Sequence, residues 1–485
     1  MPPAFEGPPG RGSLSVDIKA RMVLRPSTSD LWFLAYLPLA ISDGIATPLI
    51  PLLALQHFGA SAFIVTVIIA ASAMSQVPFT IVWGNLSDRV AHRKFFLVGS
   101  FLATGASIVG IALARDLHTF FLLNVVEGLS SAASAPIGTM LLLETRHKRW
   151  WPQDIGLFGL ISGLGTTVGL ALGFVWLFVV GHTGTAVDAM TGLLLLSGGL
   201  ALVSAGVAWV WIEEPTTRVE RRNMNELLHL RTGLTERARN FRSRVAGVID
   251  LTRSSDERLP GREYLFLAAL FVMSVGFDIF YGPFPVFLYS VLGHNAHARD
   301  AGVFIVYLGA AAASTALFFH SGKAVDNHSP KSVFLESLGG RVILMLLFLW
   351  GPIYLLFGVG SPALLAWLTL LNGMLGVTWA FISTASTLFL VRLVGRSARG
   401  RALGLYNAIA GAGGLLGTLL GGWLYAVHGV HFTYTVAALT VIAGGVLLLP
   451  IPYHLFQIPH TAGRRMHRLH GTRAAAPRPP SLRRW

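Results

Sequence analysis

Apolar residues along this chain gather into long runs separated by short polar stretches. A helix needs about 20 mostly apolar residues to cross the hydrocarbon core of a bilayer. Twelve runs reach that length, at 31–53, 61–83, 95–114, 119–143, 155–180, 189–212, 264–290, 301–320, 334–357, 362–391, 402–427 and 432–453. Many contain Gly or Pro, which lipid-embedded helices tolerate better than soluble ones. The pattern predicts an all-α, polytopic membrane protein with twelve transmembrane helices. The first run follows Pro- and Gly-rich residues 1–30 and leads directly into the second, so it reads as a retained span and not a cleaved signal peptide.

Composition narrows this further. Of 485 residues, 53% are apolar and only 12% charged, about half the charge of a soluble domain. A water-soluble enzyme, a disordered chain and a collagen-like fibre are excluded. There is no Cys, hence no disulfide, thiolate metal site or cysteine nucleophile. The net charge of +14 is a topology signal. Thirty-four of the 37 Lys and Arg fall in the tails and in every second loop, leaving Arg115 and Arg299 in the alternate loops and Arg341 within a span. That asymmetry predicts a plasma-membrane protein with both termini cytoplasmic, and an even number of spans requires the ends to share a side. Nucleic acid is not an expected partner. In the long middle loop, Phe241, Val245, Val248 and Ile249 share a helical face ringed by Arg237, Arg239, Arg242 and Arg244, which suits either an anionic inner leaflet or plain solvation.

The chain is written twice. Asp43, followed by Pro48 and Pro51, returns as Asp278, followed by Pro283 and Pro285. Asn124 and Gly128 return as Asn372 and Gly376, at an offset of 248. At that same offset Gly156, Gly163, Gly165, Gly169 and Gly173 match Gly404, Gly411, Gly413, Gly417 and Gly421. With 53 Gly in the chain, five such coincidences at one offset have a chance of about 10⁻⁵. The expected organisation is a tail (1–30), a six-helix bundle (31–212), a basic linker (213–262), a second six-helix bundle (263–453) and a basic tail (454–485). Two similar halves can rock about a site between them, and the glycine ridges allow close helix packing.

Between spans two and three stands Gly84-Asn85-Leu86-Ser87-Asp88-Arg89-Val90-Ala91-His92-Arg93-Lys94. It closely resembles the signature loop of the major facilitator superfamily, in the family's own position. A degenerate copy, Gly322, Asp326 and Lys331, lies between spans eight and nine. The resemblance implies that Asp88 meets the start of the eleventh helix while Arg89, Arg93 and Lys94 tie the halves together, closing the cytoplasmic side; the second copy would be the weaker latch. Where many proton-coupled members carry Arg on span four, this chain has Asn124. Its span-five stretch Gly159–Leu164 also lacks the proline of many drug/proton antiporters.

Ionisable groups inside a bilayer are costly and so are functional candidates. Asp43 and Asp278 lie on spans one and seven, which the resemblance places around the central cavity. Glu127 shares a polar stripe on span four with Asn124, Ser131 and Ser134. A carboxyl withdrawn from water favours its protonated form, which makes Glu127 the first candidate for carrying a proton. Gln76, Tyr281, Asn372 and Trp379 complete the expected cavity set. Arg341, near Glu336, is expected to reach back to the cytoplasmic headgroups. With no other cation in mid-span, the cavity suits a neutral or cationic solute. No Walker loop, H-E-x-x-H spacing or converging nucleophile and base appears, so neither an enzyme, a cofactor nor a metal is expected. The expected activity is secondary active transport of a small organic solute by a monomer, with protons as coupling ion and efflux favoured. The alternatives are uptake of a sugar-like solute, or a non-transporting sensor or scaffold on the same fold.

Overall fold

In lipid every backbone polar group must be satisfied within the protein, so long apolar runs become helices. A computed structural model of the chain describes residues 32–90, 93–134, 137–138, 141, 151–183, 185–212, 261–293, 296–349, 351–393 and 399–451. The tails and the 213–260 linker with its basic amphipathic stretch lie outside the described residues.

The helices are α1 (Tyr36–Gln56), α2 (Ala62–Val90), α3 (Arg93–Ala112), α4 (Leu117–Ser131), α5 (Trp151–Val179) and α6 (Ala186–Trp211). They continue as α7 (Gly261–Tyr281), α8 (Phe284–Val291), α9 (Ala296–Asn327), α10 (Pro330–Leu347), α11 (Gly351–Phe357), α12 (Pro362–Leu393) and α13 (Arg399–Val446). Among the described residues nine helices are long and apolar enough to cross a bilayer. One is the double-length α13, which turns at Gly429, where φ is +78°. Only glycine takes that left-handed backbone at little cost, and the turn falls between the eleventh and twelfth predicted spans. Pro283 separates α7 from α8, whereas Pro48 and Pro51 lie inside an unbroken α1. Where spans three and four meet, Asp116 caps α4 by accepting from the Thr119 N–H at 2.8 Å. That bond and one from the Thr119 hydroxyl hold its carboxyl below the usual carboxylate range.

Packing repeats from one half to the other. Helix α1 lies on α5 and α6, as α7 lies on the two arms of α13. Helix α2 packs on α4 as α9 packs on α12, and α3 on α6 as α10 on the end of α13. Across the boundary α5 meets α9, and α13 meets α2. The duplicated glycines permit these contacts. A Cβ on Gly413 would stand 2.8 Å from the Phe271 carbonyl, and one on Gly421 2.5 Å from that of Ile279. In the first half Gly165 and Gly169 press on Ala40 and Ile41 of α1 in the same way. Such approaches leave room for no larger residue. Gly173 instead faces Phe304 of α9, and Gly422 faces Thr66 of α2, so one edge of each ridge serves the boundary between halves.

Candidate functional site

Helix α1 buries Ile45, Leu49 and Leu52 and leaves Asp43 and Thr47, one turn apart, exposed. The exposure is inward. Asp43 is close enough to Glu127 of α4 for their charges to interact, and the Ser72 hydroxyl of α2 donates to Glu127 Oε2 at 2.8 Å. One turn further along, the Gln76 amide approaches Ser131 Oγ at 3.4 Å. Asp43, Glu127, Gln76 and the two serines form one polar group on three helices. Helix α2 is fastened to α4 beneath it by Ser75 to the Val125 carbonyl and Trp83 to that of Leu129, both at 2.9 Å.

Asp278 occupies the matched place in the second half. Its carboxylate lies against the backbone of α13, where a Cβ on Gly414 would come within 2.9 Å of Oδ2. Tyr281 stands one turn on, and both feel the charge of Arg341. This corrects the expectation that Arg341 reaches the headgroups. It is 2% exposed, and its guanidinium carbon lies 4.7 Å from the Phe277 ring centre, 5.4 Å from Tyr281 and 5.6 Å from Trp379. Nη1 donates to the Leu375 carbonyl at 3.0 Å and to Thr378 Oγ1 at 3.2 Å. Because α10 already begins at Pro330, Arg341 sits about 16 Å along it. A fixed positive charge therefore stands within reach of Asp278.

Two expected cavity residues belong to helix packing instead. Asn124 is 2% exposed and its amide donates to the Phe120 carbonyl at 2.8 Å. Asn372 is 1% exposed and donates to the Val306 carbonyl of α9 at 2.8 Å, tying α12 to α9. Trp379 is 44% exposed beside Phe277.

Helix α2 runs through the signature sequence to Val90, so Gly84, Asp88 and Arg89 continue the span as helix; their side chains lie outside the described residues, as does that of Asp326. Lys94 Nζ stands 5.1 Å over the Trp209 ring of α6, within its own half. Gly322 has open space around it. Lys331 is fully buried and donates to the carbonyls of Leu449, at 3.0 Å, and Ile451. A cation suits the carbonyl end of a helix. Lys331 thus anchors the end of the last span inside its own half.

A cross-half polar bond escaped sequence reasoning. Gln56 Nε2 donates to Asp300 Oδ1 at 2.6 Å, and Arg299 Nε lies 3.4 Å from the same oxygen. This bond, Gly173 against Phe304 and Gly422 against Thr66 all lie toward the end of the bundle away from the basic loops. The halves are closed at that end.

A family model described as Major Facilitator Superfamily matches residues 32–357 and 313–467. Multidrug resistance protein 3 of Bacillus subtilis (strain 168) is 27% identical over 93 residues, 19% of this chain and 18% of that one. Multidrug resistance protein MdtH of Aeromonas hydrophila is 27% identical over 154 residues, 31% of this chain and 38% of that one. The chain thus spans under two fifths of the length of either relative. The crystal structure of nucleoside transporter NupG is similar in fold, with a TM-score of 0.63 at 14% identity over 89% of this chain and 100% of that one. The inward open xylose transporter XylE from E. coli gives 0.59 at 14% identity over 87% and 96%.

Proposed function

The chain belongs to the major facilitator superfamily, and from that premise we propose that it is a proton-coupled transporter exporting a small organic solute by alternating access. One observation carries the reading: Asp43, close enough to Glu127 for their charges to interact, and Asp278 stand at matched positions of α1 and α7, one in each half. A carboxylate there can hold either a proton or a basic group of the solute, and the two cannot share it, which is the elementary condition for exchange. Export is favoured by the names of the multidrug resistance relatives. The charge asymmetry of the loops supports cytoplasmic termini in the plasma membrane, which puts the closed end of the bundle outside.

The test uses proteoliposomes holding a pH-sensitive dye and challenged with a panel of organic amines. Wild type moves protons in response to solute, and at least one of Glu127→Gln, Asp43→Asn and Asp278→Asn reduces that flux tenfold or more. Undiminished flux in all three removes the proton assignment.

A further inference from the structure

The two walls of the cavity carry different charges. The first-half group of Asp43, Glu127, Ser72, Gln76 and Ser131 contains no cation. The second half sets Arg341 beside Asp278. A guanidinium keeps its charge under all ordinary conditions, and a buried charge needs a partner. Arg341 has only part of one. Nη1 is bound to two neutral oxygens, those of Leu375 and Thr378, and the Tyr281 side chain is a further neutral hydrogen-bond partner of the guanidinium. Nε is buried and has no acceptor. No carboxylate lies within ion-pair distance of it among the described residues. Three aromatic rings surround the cation, and they give it a partial electrostatic partner but accept no N–H in the manner of an anion. One of those rings, Trp379, is 44% exposed and offers a flat apolar surface.

The planar guanidinium fork matches a carboxylate or similar oxyanion better than any other group. We infer that the cavity takes an amphoteric solute whose anionic oxygens dock on Arg341 and whose basic group faces Asp43 and Glu127. This rests on the transporter reading above and narrows its substrate class from amines in general to compounds carrying both charges. The solute body lies against Trp379 and Tyr281. The arrangement also orients the solute, because only one of its ends suits each half, and so it must span the boundary whose opening and closing moves it. A plain amine fills the first wall and leaves Arg341 without an anion, so it binds more weakly than the matched amino acid.

The experiment compares tryptophan, phenylalanine and 6-aminohexanoate, each with its own methyl ester, which keeps the amine and deletes the anion. Apparent Kd values are read from ligand-dependent thermal shifts of the purified full-length protein. Wild type binds at least one acid tenfold or more tightly than its ester. Arg341→Gln brings that ratio to within twofold by weakening the acid far more than the ester, a split that a merely structural loss would not give. Should Arg341→Gln not fold, Arg341→Lys decides, because it keeps the charge and loses the fork: the ratio falls threefold or more. The inference is overturned if no acid of the series binds wild type more tightly than its ester, or if the preference survives in the variant that folds; Arg341 is then a packing clamp between α7, α10 and α12. Amine-driven proton flux without acid preference removes this inference alone and leaves transport standing, whereas acid preference without proton flux removes the coupling and leaves the anion site.

Discussion

Gln56 Nε2 donates to Asp300 Oδ1 at 2.6 Å, joining the end of α1 to the start of α9 across the boundary between the halves. Asp300 is 1% exposed, so its carboxylate depends on this bond and on Arg299, which is itself stacked 3.7 Å from the Tyr289 ring centre. The bond exists only while this end is closed. It is therefore part of the free-energy difference between the two arrangements of the bundle.

Gln56→Leu is expected to favour the arrangement open at this end. A hydrogen bond to a charged group contributes about 1.5–3 kcal/mol, a factor of roughly 10–150 in population. Because the chain has no Cys, a single Thr47→Cys reports cavity access without background. Its labelling by an impermeant maleimide, applied from the Gln56 side, rises at least fivefold with Gln56→Leu. An unchanged rate means the bond does not hold the closure.

Gly169→Ala and Gly159→Ala are a matched pair. A Cβ at Gly169 runs into the Ile41 backbone, whereas one at Gly159 meets nothing within 4 Å. Forcing a helix contact apart costs about 1–3 kcal/mol. The thermal midpoint in detergent falls for Gly169→Ala and stays near wild type for Gly159→Ala.

Lys331→Met removes the donor to the Leu449 and Ile451 carbonyls. The expected loss is about 1.5–3 kcal/mol, the range for charged hydrogen bonds. A stability loss with cross-half distances unchanged marks an anchor inside one half, whereas changed distances with unchanged stability mark a latch.

The sequence reveals what is periodic or repeated. Run lengths locate the spans, and a single offset of 248 exposes the duplicated glycines that let α5 and α13 approach α1 and α7. The contacts that decide the chemistry are long-range and leave no such trace. The apolar run containing Arg341 starts at residue 334, which puts the side chain about 10 Å from the helix start, within reach of headgroups. The helix begins at Pro330, one turn earlier, and that turn carries Arg341 into the aromatic cage. Asn124 and Asn372 look like cavity residues because their stripes are polar, yet the same polarity serves backbone carbonyls, of its own helix for Asn124 and of α9 for Asn372. Gln56 and Asp300 stand 244 residues apart, and neither lies in a pattern that points to the other.

The central claim is that the two bundles must part at their closed end for solute to move. Gln56→Cys with Asp300→Cys, joined by a short reducible bis-methanethiosulfonate linker, tests it in the same proteoliposomes. Solute-driven proton flux is expected to stop in the linked protein and return when reductant is added. Full flux with the linker in place would contradict alternating access through this boundary.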